Sequence, residues 1–337
     1  MNDKMKLFAV WIVLSILIGD LLQAQQIKTP IMTVKEKDEI HFLDINGEIV
    51  NSIKLPSEIL SYSVSPNGKL IALVVKIKWK DHYKKNWGGH LYLMDVEKRT
   101  YKRVLLGPYI KSDPEEDKQA PIYHEVYDDP AFSPDGQKVI FSIRFDCRCD
   151  GNDAVMSAGP LAILDLKTGR VRVLQLLGKD VNDDFLNSPD WSPDGRETVV
   201  EGMEGPYVIQ MSTLKMKYIG IEDNGDSEET TKFSTWVGNN CILEKKFNYK
   251  IRSSDGVVLG AISLRNLKTN KVQRNPQFIP GDMIHVANLQ ATSQYVLVTR
   301  EKETELYEVT SHKLFWKKQR TDYQLIQSSY LSAPGCP

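Results

Sequence analysis

The sequence predicts an all-β protein, a β-propeller built from four-stranded antiparallel blades. Three observations predict it: a short motif that occurs three times, a second hairpin after each copy, and the lack of a long amphipathic helical pattern after the N-terminal region. Internal repeats of this size are the sequence signature of propellers and solenoids. The composition agrees, because 41% of the 337 residues are hydrophobic and 26% are charged, as in a protein with a buried core.

Residues 1–24 have the pattern of a secretory signal peptide. Lys4 and Lys6 precede an apolar stretch from Leu7 to Gly19, and Ala24 supplies the small residue after which a signal peptidase would cut. The stretch is shorter than the roughly 20 apolar residues that span a bilayer. We therefore expect export to the periplasm or beyond, with no membrane span in the mature chain. An uncleaved membrane anchor is the alternative.

The repeated motif places a tight turn between two short strands. Its copies run over Tyr62–Val74, Pro130–Ser142 and Pro189–Glu201, and each contains Ser-Pro-Asp-Gly or Ser-Pro-Asn-Gly. Proline fixes φ at the first corner, Asp or Asn bonds to the nearby backbone, and glycine adopts the positive φ that the turn requires. We expect each turn to join the first and second strands of a blade.

A second hairpin follows each copy of the motif, so that each unit carries the four strands of a propeller blade. These hairpins run over Leu91–Val104, Leu161–Leu174 and Tyr207–Tyr218, and blades are expected to begin near residues 57, 123, 182, 229 and 280. A hairpin with an Asn-Gly turn at Ile40–Ile53 is suited to completing the last blade. The sequence therefore predicts a six-bladed propeller over residues 25–320, with five or seven blades as alternatives, and a C-terminal tail over residues 321–337.

The pattern Pro-x-Trp/Phe-Ser-Pro-Asp-Gly resembles the WD40-like repeat of the TolB-type β-propellers of bacteria. The copies at Pro130–Ser142 and Pro189–Val200 match this repeat closely, whereas Ser-Pro-Asp-Gly is missing beyond residue 229. The resemblance implies a periplasmic or secreted propeller that holds partners, and it implies no activity, since the motif concerns a turn. TolB also carries a small α/β domain ahead of its propeller. We expect none here, because only a few residues separate the signal from the first hairpin.

No compact catalytic motif occurs in the sequence. The Gly-x-Ser-x-Gly of the hydrolase domain that follows some propellers in serine peptidases is absent. Some TolB-like propellers are lyases that act on uronate sugars through a histidine-rich metal site in the channel. The histidines of this chain are His41, His82, His90, His124, His285 and His312. His124 and His285 precede strands expected to line the channel, but no two histidines have metal-ligand spacing, and we predict no catalytic, cofactor-binding or metal-binding residue.

Two further features of the sequence concern calcium binding and disulfide formation. Asp146–Asp153 gathers carboxylates around a glycine and resembles part of a calcium loop, but Arg148 takes the third position and Ser157 stands where a glutamate would close the loop. We expect no cofactor, with calcium as the alternative. An exported chain meets an oxidising compartment, which allows one or two disulfides. Their pairing stays open among Cys147, Cys149, Cys241 and Cys336.

The segment Lys76–Gly89 is the strongest candidate for partner binding. It carries Trp79, Tyr83 and Trp87 among five lysines. Aromatic faces rimmed by cations suit an acidic protein or an anionic glycan. The alternative is that these rings pack on their own blade as part of an extended outer hairpin.

The balance of positive and negative residues argues against one class of function, nucleic-acid binding. The 43 Lys and Arg residues against 44 Asp and Glu residues give a formal net charge of -1, which argues against a nucleic-acid partner. We predict a monomeric, exported, non-catalytic propeller that acts as a protein- or glycan-binding scaffold in the cell envelope. The alternative is a carbohydrate-active lyase or hydrolase with its site in the propeller channel.

Overall fold

The structure is a computed structural model. It describes residues 30–55, 57–76, 89–104, 126–147, 155–177, 186–202, 205–219, 229–238, 240–252, 258–274, 286–291, 295–300, 302–308, 311, 313–319 and 323–326. These segments contain 24 β-strands. None of them contains a helix that could cross a membrane. The described part of the chain is therefore all-β, as predicted.

The strands are short, and they follow one another along the chain with few interruptions. The first twelve are β1 (Met32–Glu36), β2 (Glu39–Leu43), β3 (Ile49–Lys54), β4 (Ile59–Val64), β5 (Leu70–Lys76), β6 (Gly89–Asp95), β7 (Thr100–Arg103), β8 (Val126–Phe132), β9 (Lys138–Cys147), β10 (Val155–Asp165), β11 (Val171–Val173) and β12 (Asn187–Trp191). The remaining twelve are β13 (Glu197–Glu201), β14 (Pro206–Gln210), β15 (Lys215–Tyr218), β16 (Glu229–Gly238), β17 (Cys241–Arg252), β18 (Val258–Asn266), β19 (Val272–Arg274), β20 (Val286–Ala291), β21 (Tyr295–Arg300), β22 (Glu303–Glu308), β23 (Leu314–Gln319) and β24 (Tyr323–Leu325).

Strand pairing groups these strands into antiparallel units of four. Blades 1 to 5 are β4–β7, β8–β11, β12–β15, β16–β19 and β20–β23, each paired in chain order. Single backbone pairs join blade 1 to blade 2, between Gly89 and Tyr127, and blade 4 to blade 5, between Gly260 and Val286. The prediction of a propeller of four-stranded antiparallel blades is confirmed, and with blade 6 the described strands supply six of them.

Blade 6 is built from both ends of the described chain. Its inner strand β24 pairs with β1, and β2 and β3 follow outward. Met32 lies opposite Leu325, and the amide of Ile326 donates to the carbonyl of Ile31 at 2.9 Å. The hairpin of β2 and β3 thus completes the last blade, as expected. β24 lies within the segment that the sequence assigned to a tail after residue 320, because a three-residue strand is too short to show an alternating pattern.

The repeated motif forms the turn between the first and second strands of blades 1, 2 and 3, which confirms the prediction. In blade 2 the Ser133 hydroxyl donates to Asp135 at 2.6 Å, and Gly136 has a φ of 66°. Burial opposes the ionisation of Asp135, but the hydrogen bonds from Ser133 and from the Gln137 amide outweigh it and lower the pKa of this carboxyl. The corresponding residues are Ser65, Asn67 and Gly68 in blade 1 and Ser192, Asp194 and Gly195 in blade 3.

These three turns lie side by side at one end of the ring. A Cβ atom placed on Gly136 would lie 3.6 Å from the ring of Pro66, and one on Gly195 would lie 3.6 Å from the ring of Pro134. Because the strands are antiparallel, the turns between the third and fourth strands lie at the same end, which we call the turn end. The connections that leave after Lys76, Val104 and Cys147 therefore lie at the opposite end, which we call the loop end.

Apolar side chains fill the spaces between consecutive blades. Between blades 2 and 3, Trp191 is 2% exposed and packs with Ala131, Ile140 and Leu161. Clusters of the same kind lie between blades 1 and 2, between blades 5 and 6 and between blades 6 and 1. Full burial of one large aliphatic side chain contributes about 1.5–3 kcal/mol, so these clusters hold neighbouring blades together.

The later blades add buried polar groups to this packing. In blade 4, Nε of Arg265 lies 2.5 Å from Oε1 of Glu244, and both side chains are buried. The pair lies on the face of Ile242, which packs against Val199 of blade 3. Taking two charges out of water is costly, so each of these groups depends on the other.

Blade 5 contains a similar buried group. Glu305 accepts hydrogen bonds from Nε of Arg300 and from the hydroxyl of Tyr307, each at 2.8 Å. Burial and the bond to Glu305 raise the pKa of Tyr307 to about 12. These polar contacts occur in two of the three blades that lack the repeated turn motif.

Candidate functional site

The channel side of the ring is formed by the inner strands, and five of them share one irregularity. β4, β8, β12, β16 and β20 each have a register shift against the second strand of the blade. At these shifts Asp129 has a φ of 46° and Ser188 a φ of 48°, and each precedes a proline. β-Bulges turn side chains in new directions and are frequent beside functional sites. Here they present polar side chains to the neighbouring blade.

Carboxylates at the first bulges connect blades 1, 2 and 3. The hydroxyl of Ser61 donates to Oδ1 of Asp128 at 2.7 Å, and the amide of Asp129 donates to the Ser61 hydroxyl at 3.1 Å. The amide of Ser188 in turn donates to Oδ2 of Asp129 at 3.2 Å. Each bond crosses from one blade to the next, so these residues of the inner strands fix the blades relative to one another.

A third carboxylate extends this connection to blade 4. Oδ2 of Asp190 accepts from the hydroxyl of Thr235 at 2.9 Å and from the amide of Trp236 at 3.0 Å. Hydrogen bonds to ionised groups are stronger than those between neutral groups. We call Ser61, Asp128, Asp129, Ser188, Asp190 and Thr235 the polar belt.

Indole groups add a second row of bonds between the blades. Nε1 of Trp191 donates to the carbonyl of Ala131 at 3.2 Å, and Nε1 of Trp236 donates to the carbonyl of Asp190 at 3.1 Å. In both cases the accepting carbonyl belongs to the residue directly before the aromatic residue of the repeated motif. The aromatic position therefore contributes both a buried ring and a directed hydrogen bond.

Sequence reasoning did not identify the polar belt. A signal for it is present, because a polar residue and a proline precede the aromatic position in Asp128-Asp129-Pro130 and in Asn187-Ser188-Pro189. The belt places carboxylates and hydroxyl groups between the inner strands of consecutive blades. In the segments that the structure describes, no group of three or more His, Cys, Asp or Glu side chains is arranged to hold a metal ion.

The candidate binding residues Trp79, Tyr83 and Trp87 lie outside the described residues, but both anchors of their segment are described. Lys76 and Gly89 lie opposite each other at the end of the β5–β6 pair. Nζ of Lys76 lies 2.9 Å from Oε2 of Glu58. A Cβ atom on Gly89 would lie 2.1 Å from the carbonyl oxygen of Val75, so this position accepts only glycine. Since Gly89 also pairs with Tyr127, the segment leaves the ring beside the start of the polar belt.

The histidines are divided between described and undescribed parts. His41 and His90 lie on β2 and β6, the third strands of blades 6 and 1. Nδ1 of His41 lies 2.6 Å from the hydroxyl of Ser52. His82, His124, His285 and His312 lie outside the described residues, and so does most of the calcium-like segment Asp146–Asp153.

His90 predicts a measurable pH dependence. Burial and the nearby Arg103 guanidinium lower the pKa of His90, and Nη2 of Arg103 lies 2.8 Å from its Nδ1. The unfolded chain therefore binds this proton at a higher pH than the folded chain does, and stability falls as the pH drops below about 6.5. We expect His90→Gln to weaken this loss, measured by urea unfolding at pH 7.5 and 5.5. Arg172→Gln, on the next blade, is the control. If the difference in stability between the two pH values is the same in His90→Gln as in the native chain, the assignment to His90 is contradicted.

Two other features complete the description of candidate sites. A cleft of about 340 Å³ opens at the turn end between the second and third turns, where Lys138, Asp135 and Asp194 contribute to its lining. Both carboxylates accept hydrogen bonds within their own turns.

Cys241 is buried and disulfide-bonded, and its partner lies outside the described side chains.

Comparison with known proteins agrees with this architecture. No family model and no curated protein matches the chain. Among solved structures, TolB from Acinetobacter baumannii is 15% identical with a TM-score of 0.54, over 90% of this chain and 68% of that chain. An oligogalacturonate lyase in complex with manganese is 11% identical with a TM-score of 0.52, over 82% of this chain and 69% of that chain.

The tricorn protease is 10% identical with a TM-score of 0.51, and the match covers 87% of this chain but 31% of that chain. At such low sequence identities the similarity concerns the fold alone. It includes proteins whose names describe different activities. The chain therefore has the TolB-like β-propeller fold.

Proposed function

We propose that this chain is an exported, non-catalytic β-propeller that holds a protein or glycan partner at its loop end. The observation that carries the proposal is the polar belt. Asp129 and Asp190 accept backbone amides and hydroxyls from the next blade at 2.9–3.2 Å. A ring tied in this way presents the connections of several blades at fixed relative positions, which lowers the ordering cost of binding one large partner.

The proposed binding surface centres on Trp79, Tyr83 and Trp87. The anchors Lys76 and Gly89 lie at the loop end, and Gly89 pairs with the inner strand of blade 2, which supports this choice. Tryptophan and tyrosine dominate the energetics of many protein interfaces, and the lysines of the segment favour an acidic protein or an anionic glycan.

Export is part of this proposal. The pattern of residues 1–24 is that of a signal peptide, with cleavage after Ala24. The buried, disulfide-bonded Cys241 supports it, because disulfides persist mainly in oxidising compartments.

A site-specific crosslink tests the proposed surface. A photoreactive residue replaces Trp79 in the full-length chain in the cells that make it, and adducts are identified by mass spectrometry. We expect one dominant envelope protein or glycan, and we expect Trp87→Ala to reduce that adduct strongly. The matched control carries the photoreactive residue at Thr269, an exposed position in a turn of blade 4 at the turn end.

Two outcomes would contradict the proposal. The first is a large loss of thermal stability in Trp79→Ala and in Trp87→Ala, together with an adduct at the photoreactive residue that Trp87→Ala leaves unchanged, which would indicate that these rings belong to the core of blade 1. The second is turnover of uronate oligosaccharides by the purified chain, with or without added manganese. That result would instead support a carbohydrate-active enzyme, the alternative for which the lyase of similar fold is the precedent.

A further inference from the structure

The strands of the propeller differ in charge according to their distance from the channel. The six outer strands β3, β7, β11, β15, β19 and β23 contain lysine and arginine and no aspartate or glutamate. The cationic residues are Lys54, Lys102, Arg103, Arg172, Lys215, Lys217, Arg274, Lys317 and Lys318. The inner strands contain Asp128, Asp129, Asp190 and Glu229 against a single Lys232. A chain with a net charge of -1 thus carries a positive outer wall.

Several of these cations are available to a partner. Lys102, Arg172 and Lys215 are exposed, and among the described residues none of the three forms an ion pair with a carboxylate. Lys317 is different, since it pairs with Glu303 and Glu305. Free cations therefore occur on three consecutive blades, from blade 1 to blade 3.

Apolar side chains accompany these cations. In the segments described, every large hydrophobic side chain that is strongly exposed lies on an outer strand or next to one. They are Ile49, Val50, Tyr101, Leu177, Val272 and Leu314. Each of these side chains lies close to a cationic outer strand, where it offers apolar contact area to a partner that the cations bind. The outer wall thus combines positive charge with apolar contact area.

Protection of edge strands explains only part of this pattern. Each outer strand is the edge of its sheet, and charged side chains on an edge discourage pairing with another chain. Lysine is the residue most often used for this purpose, although glutamate also opposes edge pairing. None of the six strands uses an acidic residue, so the sign of the charge needs a further reason.

We propose that the outer wall is a docking surface for a linear acidic polysaccharide that crosses the outer strands of consecutive blades. The outer strands are distributed around a ring, so a flat bilayer would meet the exposed cations of only one or two blades, whereas a flexible polymer can follow the curve. The carboxylates of such a polymer match the exposed cations, and its sugar rings match Tyr101 and the aliphatic side chains. The choice of polysaccharide over nucleic acid rests on the export proposed above.

Binding of alginate, a linear polymer of uronic acids, tests the proposal on the full-length chain. Affinity is measured at several NaCl concentrations for the native chain and for the double variant Lys102→Glu/Arg172→Glu. The control is Lys69→Glu/Arg196→Glu, which changes one exposed lysine and one exposed arginine in turns near the channel axis. Both variants alter the net charge equally. Neutral dextran, double-stranded DNA and vesicles rich in phosphatidylglycerol are compared under the same conditions.

We expect the outer-wall variant to weaken alginate binding about tenfold or more and to reduce its dependence on salt, because fewer counterions are released. The control should change the affinity about twofold or less. Equal weakening by both variants, no binding by the native chain, or tighter binding to DNA or vesicles than to alginate would overturn the proposal. The crosslinking test of the loop end is independent of this result, since it alters the segment Lys76–Gly89 whereas the present test alters residues of the outer strands.

Discussion

Glu244→Ala is expected to lower the free energy of unfolding by about 3–5 kcal/mol, because it leaves the buried guanidinium of Arg265 without its carboxylate. Oε1 of Glu244 lies 2.5 Å from Nε of Arg265, and Glu244 is 0% exposed. An unpaired charge at this depth has no access to water. Urea unfolding at pH 7, followed by tryptophan fluorescence, measures the change.

A double variant distinguishes the charge effect from the loss of packing. Glu244→Leu/Arg265→Met removes both charges and keeps most of the volume, so it should be more stable than Glu244→Ala and than Arg265→Met alone. If the double variant is instead as unstable as the sum of the two single variants, the two side chains act independently and the buried pair does not explain the effect.

Trp191→Ala is expected to lower the free energy of unfolding by about 3–5 kcal/mol, as for other large aromatic side chains removed from a core. The ring is 2% exposed between blades 2 and 3, and its Nε1 donates to the carbonyl of Ala131 at 3.2 Å. The loss should therefore affect the contact between the two blades as well as the core of blade 3. Calorimetry measures the shift in the melting temperature.

Substitution by phenylalanine separates the hydrogen bond from the ring. Trp191→Phe loses the bond to Ala131, which contributes about 1 kcal/mol, in addition to part of the ring. Trp316 is the matched control, because its buried Nε1 has no hydrogen-bond partner among the described residues. Trp316→Phe should cost less than Trp191→Phe. The reverse order would show that the indole bond is unimportant.

The fold was largely predictable from the sequence because its turns depend on local chemistry. Ser-Pro-Asp-Gly specifies backbone angles over four residues, and the φ of 66° at Gly136 is the value that such a turn needs. The closing strand Tyr323–Leu325 was missed because its pairing with β1 depends on contacts far away in the sequence. Neither a three-residue strand nor a distant partner leaves a local pattern.

The candidate site was less predictable for the same physical reason. Asp128, Asp129 and Asp190 act through side chains on neighbouring blades, and such contacts become visible only when the blades are assembled. The aromatic segment from Trp79 to Trp87 has a clear composition, and its functional role stays a prediction. The positive charge of the outer wall was not visible in the net charge of the chain. That sum also includes the acidic residues of the inner strands, which lie at the other edge of each sheet.

The closure of blade 6 has a consequence for how the chain is made. Thr33 and Gln324, whose contact at 3.5 Å helps join β1 to β24, are 291 residues apart in sequence. Strands β1 to β3 are synthesised before the other strands that the structure describes, yet their sheet lacks its inner strand until residues 323–325 have been made. Until then the inner edge of β1 has no partner, and unpaired strand edges make newly made β-proteins prone to aggregation. We therefore expect a chain that is truncated before residue 323 to leave this edge open, so that the last described strand is needed to complete blade 6.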